Sequence, residues 1–161
     1  MLQAHGVTCV ADVRTIPRSR HNPQFNTEAL AHSLQDADIN YVLLPGLGGL
    51  RHPRRDSLNS GWRNASFRGF ADYMQTAKFR EALAELMSLA RRDRVAIMCA
   101  EAVPWRCHRS LIEDALLAHG IRVAHIMNAS AAREHTLASF ARIRAQQVTY
   151  PSEETIPLPF I

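Results

Sequence analysis

The sequence predicts an α/β fold: three layers, with a mainly parallel sheet of about four strands and helices on both faces. Three observations predict it. Short, mainly apolar runs of strand length, the first of them rich in β-branched residues, recur at 7–13, 40–44, 95–99 and 121–127. Stretches with apolar residues at helical spacing separate these runs, so each crossover returns the chain in the same direction and buries both sheet faces. No repeat or linker interrupts the 161 residues, so one domain over 1–161 is expected. A chain of this length can bury roughly two-thirds of its surface without a disulfide or metal staple.

The elements follow in order. His5-Gly6 reads as the end of a helix, and Val7 to Val13 as a buried strand. Pro17 and Pro23 keep residues 14–26 in a loop. Asn26 or Thr27 then caps a helix that sets Leu30, Leu34 and Ala37 on one face and ends near Asp38. Asn40 to Leu44 forms the second strand, closed by Pro45 and the turn Gly46-Leu47-Gly48-Gly49. Residues 50–64 show no period and read as a long loop. Helical spacing returns with Phe67, Phe70, Tyr73 and Met74, breaks near Thr76, and resumes through Phe79, Leu83, Leu86, Met87 and Ala90. Val95 to Cys99 is the third strand. A helix over 107–118 carries Leu111, Ile112, Ala115 and Leu116 on one face and stops at His119-Gly120. Ile121 to Met127 is the fourth strand, 130–142 is expected to be helical, and 143–150 a short strand or hairpin. The tail 151–161, with Pro151, Pro157 and Pro159, is expected along the surface.

Charge and cysteine usage narrow the function. The formal net charge is +4, and of 19 basic residues only Lys78 is a lysine. Arg14, Arg18, Arg20 and His21 fall in one loop; Arg51, His52, Arg54, Arg55, Arg63 and Arg68 fall in or next to another. Guanidinium forks match phosphate and carboxylate geometry, so the partner expected is an anionic small molecule or a nucleic acid. Asp56 and the modest net charge argue against a dedicated DNA-binding stripe. Three cysteines, no secretory leader and no apolar run of ~18 residues point to the cytoplasm and away from a membrane.

Ligands of open parallel sheets bind at the carboxyl ends of the strands. Three segments reach that edge: Asp12-Val13-Arg14, Pro45 to Gly49, and Cys99 to Arg109. In the third, Pro104 delays the helix to about Arg106 or Cys107. The free N–H groups of its first turn, with Arg106 or Arg109, make an anion pocket. The same field would lower the pKa of Cys107 and favour its thiolate. His108 could then shuttle a proton, and Glu101 could act as a base or orient an arginine. Cys9, in mid-strand, reads as core packing. Cys99, Cys107 and His108 lack the paired spacing of a zinc site, so no metal and no cofactor is expected.

These residues carry a resemblance. The chain resembles the prokaryotic family catalogued as domain of unknown function four-eight-eight. The matching stretches are Asp12-Val13-Arg14 with Pro17 and Ser19; Asn22-Pro23 with Phe25; Tyr41 through Gly49; Cys99 with Glu101, Pro104 and Cys107-His108-Arg109; His125-Ile126; and Tyr150-Pro151. The resemblance implies that the Asp-Val-Arg and Cys-His-Arg segments share one site. Binding residues are accordingly expected among Asp12, Arg14, Arg18, Asn22, Gly48, Gly49, Cys99, Arg106 and Arg109, with Cys107, His108 and Glu101 as the catalytic set. Members of that family place a further strand and helix before the segment matching His5-Gly6. The resemblance therefore implies an N-terminally short copy lacking the first family strand, and a homodimer is left open. Three functions remain: an enzyme dependent on Cys107, a non-catalytic arginine-rich binding module, and a redox pair of Cys99 with Cys107.

Overall fold

The structure, a computed structural model, describes residues 1–152. It is an α/β fold built on a parallel three-stranded sheet. β1 (Cys9–Asp12) lies in the centre, flanked by β2 (Asn40–Leu43) and β3 (Val95–Met98). Cys9 is in register with Asn40 and Val95, and Asp12 with Leu43 and Met98. All four β1 residues are buried, as a central strand covered on both faces should be.

Side chains alternate between two apolar clusters with the period of a strand. Ala11, Val13, Leu44 and, partly buried, Val42, Val95 and Ile97 pack with Phe70, Phe79, Leu83, Leu86, Leu111 and Ile112. Those partners come from α2 (Ala65–Tyr73), α3 (Ala77–Ala90) and α4 (Arg109–Ala118). Val10, with Tyr41, Ala96 and Met98, packs instead with Leu30 and Leu34 of α1 (Thr27–Gln35). Thr76 caps α3 by accepting from the Phe79 amide, which is the break read in the sequence. His5-Gly6 does end a helical turn, Gln3–His5, with Gly6 in the left-handed region at φ 65°.

The long loop 50–64 has no regular element but is pinned. Asp72, buried in α2, accepts from the Arg54 amide, the Ser57 hydroxyl and the Asn59 side chain at 2.8, 2.6 and 2.8 Å. Asn59 in turn accepts from the Tyr150 amide at 2.9 Å. Gly69 lets the loop lie against α2: a Cβ there would stand 2.5 Å from the Arg51 carbonyl oxygen.

Three expectations need correction. Among the described residues the parallel sheet has three strands: β4 (Ala124–Ile126) pairs antiparallel with β5 (Ala132–Glu134) instead of joining it. The reason is the Asn128 side chain, which accepts from the amide and hydroxyl of Ser130 and turns the chain back on itself. A hairpin closes a far shorter loop than a crossover does. That turn also removes the helix expected over 130–142. The hairpin expected near 143–150 is present as β6 (Arg142–Arg144) and β7 (Gln147–Thr149). The helix expected from 107 begins at Arg109, because Pro104–Arg106 forms a separate short turn. The tail beyond 152 lies outside the described residues.

Candidate functional site

Because the three strands run in parallel, their carboxyl ends and following loops meet at one edge. A cavity of about 320 Å³ opens there. Arg14, Thr15 and Ile16 reach it from β1, Gly49 and Leu50 from β2, and Cys99 to Glu101 with Arg106 to His108 from the β3–α4 connection. Ser66 and Phe67, in the first turn of α2, complete the wall. The sequence carried no sign of those two, which read only as part of an amphipathic helix.

Beneath the cavity Asp12 is fully buried and Arg14 nearly so. Arg14 Nε donates to both Asp12 oxygens at 2.9 and 3.0 Å, and its Nη2 donates to Oδ2 at 2.5 Å. The Arg14 amide and the Tyr41 hydroxyl add donors to the same carboxylate at 3.0 and 2.7 Å. The hydrogen bonds to Asp12 hold the Arg14 guanidinium above its ordinary pKa despite burial. Asp12 is therefore an anchor that fixes Arg14, and much of the arginine's charge is already compensated.

The chemically distinctive feature is a knot of two sulfurs and one imidazole. The thiols of Cys99 and Cys107 and a His108 ring nitrogen all lie within 4.8 Å of one another. Cys107 sits before α4 in extended conformation, φ −123° and ψ 143°, with only 3% of its surface exposed. Its sulfur accepts from Arg109 Nε at 3.3 Å and lies 3.8 Å from His108 Nδ1. Cys99 is half-buried at the end of β3.

The two thiols divide their protons unequally. Cys99 is lowered to about 3, first by the hydrogen bond from Cys107 and further by His108 and the Glu101 backbone, against the cost of burial. Cys107 is raised, because it donates to Cys99 and is buried. Cys107 was expected to be acidified by the first turn of a helix; the direction at Cys107 is upward, set first by its bond to Cys99 and then by burial. With α4 starting two residues later, Cys107 lies before that turn.

The neighbouring glycines serve close packing. A Cβ on Gly49 would stand 2.4 Å from His108 Nδ1, and one on Gly48 would stand 2.4 Å from Thr15 Oγ1. His108 is thus pressed between Gly49 and Phe70, whose ring centroid lies 5.0 Å away. Glu101 and Arg106 are exposed on the cavity wall. Arg109 is not on that wall; it supports the wall from behind, with Nη2 donating to the Glu101 carbonyl at 2.5 Å. Arg18 and Asn22 are exposed in the 14–26 loop and are not among the residues lining the cavity.

Several arginines of the 51–68 segment are engaged within the chain. Arg51 stacks over the Tyr73 ring at 3.6 Å and donates to the Gly48 carbonyl, and Arg54 pairs with Asp56. Two groups could ligate a metal ion among the described residues: Cys99 with Cys107 and His108, and Glu113 with His125 and His135. Burial raises Glu113 and lowers His125. The second group has no short motif in the sequence. No helix among the described residues is long and apolar enough to cross a membrane.

A family model described as Domain of unknown function DUF488 matches residues 1–116. That span contains β1 to β3, the cavity and most of α4. No curated protein and no solved structure matches the chain.

Proposed function

The chain belongs to the DUF488 family of unknown function, and from that premise we propose that it is a thiol-dependent enzyme acting on an anionic substrate, with Cys99 as the nucleophile. The observation that carries this reading is the pair of sulfurs on the cavity wall, gathered with a His108 ring nitrogen within 4.8 Å of one another, where the bond from Cys107 lowers the pKa of Cys99 and so favours its thiolate. Cys107 and His108 are the groups placed to return a proton to a leaving atom or to Cys99. Arg106 supplies positive charge at the rim, and the unengaged side of the Arg14 guanidinium supplies more at the base. Ile16, Leu50 and Phe67 offer apolar surface beside that charge, which suits a substrate joining a phosphate or carboxylate to a flat apolar portion, such as a nucleotide.

The alternative of an arginine-rich binding module draws less support, because Arg51 and Arg54 already have partners in the chain. Alkylation in the presence of anions separates the two. Iodoacetamide is expected to label Cys99 ahead of Cys9 and Cys107, inorganic phosphate or adenosine monophosphate to slow that labelling, and Arg106→Glu to abolish the protection. Labelling of Cys99 that is indifferent to both anions overturns the proposal.

A further inference from the structure

We propose that Glu113, His125 and His135 form a binding site for a divalent transition-metal ion, separate from the sulfur-lined cavity, with Asp114 as the residue that orients His135. The fold brings the three together from distant positions. α4 supplies Glu113, β4 supplies His125, and the strand after the Asn128 turn leads to His135. His125 is in register with Arg133, and the His135 amide donates to the Val123 carbonyl at 2.9 Å. Opposed residues share a face and alternate residues repeat it, so both imidazoles lie on the same side of the hairpin, facing α4.

Each of the three offers a ligand atom within 4.8 Å of the other two. His125 Nε2 lies 3.2 Å from His135 Nδ1, His135 Nδ1 lies 3.3 Å from Glu113 Oε2, and His125 Nδ1 lies 3.6 Å from Glu113 Oε1. Ligands about 2.05 Å from a tetrahedral ion stand ~3.4 Å apart. His135 Nδ1 and Glu113 Oε2 already stand at that spacing, and a shift of the His125 ring brings one of its nitrogens to the same ion.

The protons point the same way. Asp114 Oδ1 lies 2.8 Å from His135 Nε2, and a carboxylate there requires the hydrogen on Nε2. Nδ1 of His135 faces Glu113 Oε2 at 3.3 Å and His125 Nε2 at 3.2 Å. Glu113 is 5% exposed, and its Oε2 is buried with no hydrogen-bond partner. A buried carboxylate oxygen without a hydrogen-bond partner thus faces two imidazoles, an arrangement that a cation among them would stabilise. Asp114 is itself fixed by the Tyr150 hydroxyl at 2.8 Å. A carboxylate behind a ligating imidazole is the usual outer support of such sites.

Two imidazoles and one carboxylate favour zinc, iron(II) or cobalt(II) over magnesium or calcium, which prefer all-oxygen shells. Three protein ligands leave a coordination position for water, and the partly exposed His125 gives it a route to solvent. The inference does not depend on the thiol chemistry, since none of its ligands lines the cavity.

The test uses the full chain carrying Cys99→Ser and Cys107→Ser, so that sulfur cannot ligate. After chelator treatment it is titrated with Zn(II) and Co(II) against a chromophoric chelator, and folding of every variant is checked by circular dichroism. One equivalent of metal is expected per chain, with Co(II) d–d bands and no thiolate charge-transfer band. Asp114→Asn is expected to weaken binding about 10- to 100-fold. His125→Ala, at the most exposed ligand, is expected to weaken it further. A folded cysteine-free chain that retains no metal overturns the proposal, as does unchanged affinity in a folded His125→Ala variant.

Discussion

Measuring alkylation of Cys99 against pH probes the proposed nucleophile more sharply than any rate at a single pH. An ordinary thiol of pKa about 8.5 is roughly 3% thiolate at pH 7 and about 0.03% at pH 5. Cys99, lowered to about 3 by its bond from Cys107, is ionised throughout that range. A weaker base is also a weaker nucleophile. Cys99 is nevertheless expected to gain on free cysteine as the pH falls, because its thiolate persists while that of free cysteine is lost about tenfold per pH unit. Partial burial scales the whole Cys99 curve and leaves its shape alone. Iodoacetamide labelling from pH 4.5 to 8, read by peptide mass spectrometry, checks this. The expected profile is flat. A rate at Cys99 that falls tenfold per pH unit below 8, or labelling concentrated on Cys107, refutes the proton assignment. The Cys107→Ala variant removes the donor beside Cys99, and its profile should begin to fall at a higher pH than that of the wild type.

Two further perturbations test the scaffold. Asp12→Asn leaves the nearly buried Arg14 without a counter-charge and is expected to cost about 3–5 kcal/mol, against about 1–2 kcal/mol for Tyr41→Phe, which removes one donor and no charge. Urea unfolding midpoints compare them, and equal losses would show that charge is not what holds Arg14. Gly69→Ala should gain ~1 kcal/mol from helix propensity, yet the new Cβ would meet the Arg51 backbone at 2.5 Å. A net loss of at least about 1 kcal/mol is expected in the same assay, and a stabilised variant would refute the close approach of loop and helix.

The three parallel strands were legible because their short apolar runs are what a sheet buried on both faces demands, and the convergence of their ends followed from that order. The region after 121 was misread for a local reason. One Asn128 side chain redirects β4 into a hairpin, and such a turn leaves almost no trace in hydrophobic period. The segment holding the sulfurs was legible, but not the division of labour inside it. Which thiol is lowered depends on a contact between Cys99 and Cys107 that spacing does not reveal. Ser66 and Phe67 reach the cavity only because the pinned loop carries α2 across it. Glu113, His125 and His135 were invisible as a group, since a hairpin and a helix from different parts of the chain assemble them.

Arg109 occupies a place whose importance exceeds its exposure. Its side chain touches the Cys107 sulfur and the Glu101 carbonyl, while its charge, one turn ahead, acts on Glu113 and His125. Lesions on the two sides of α4 would then be thermodynamically separable only when this guanidinium is gone. While it is present, a double-mutant cycle between, say, Cys107 and Glu113 should show non-additivity, transmitted by one shared cation and requiring no shift of the helix.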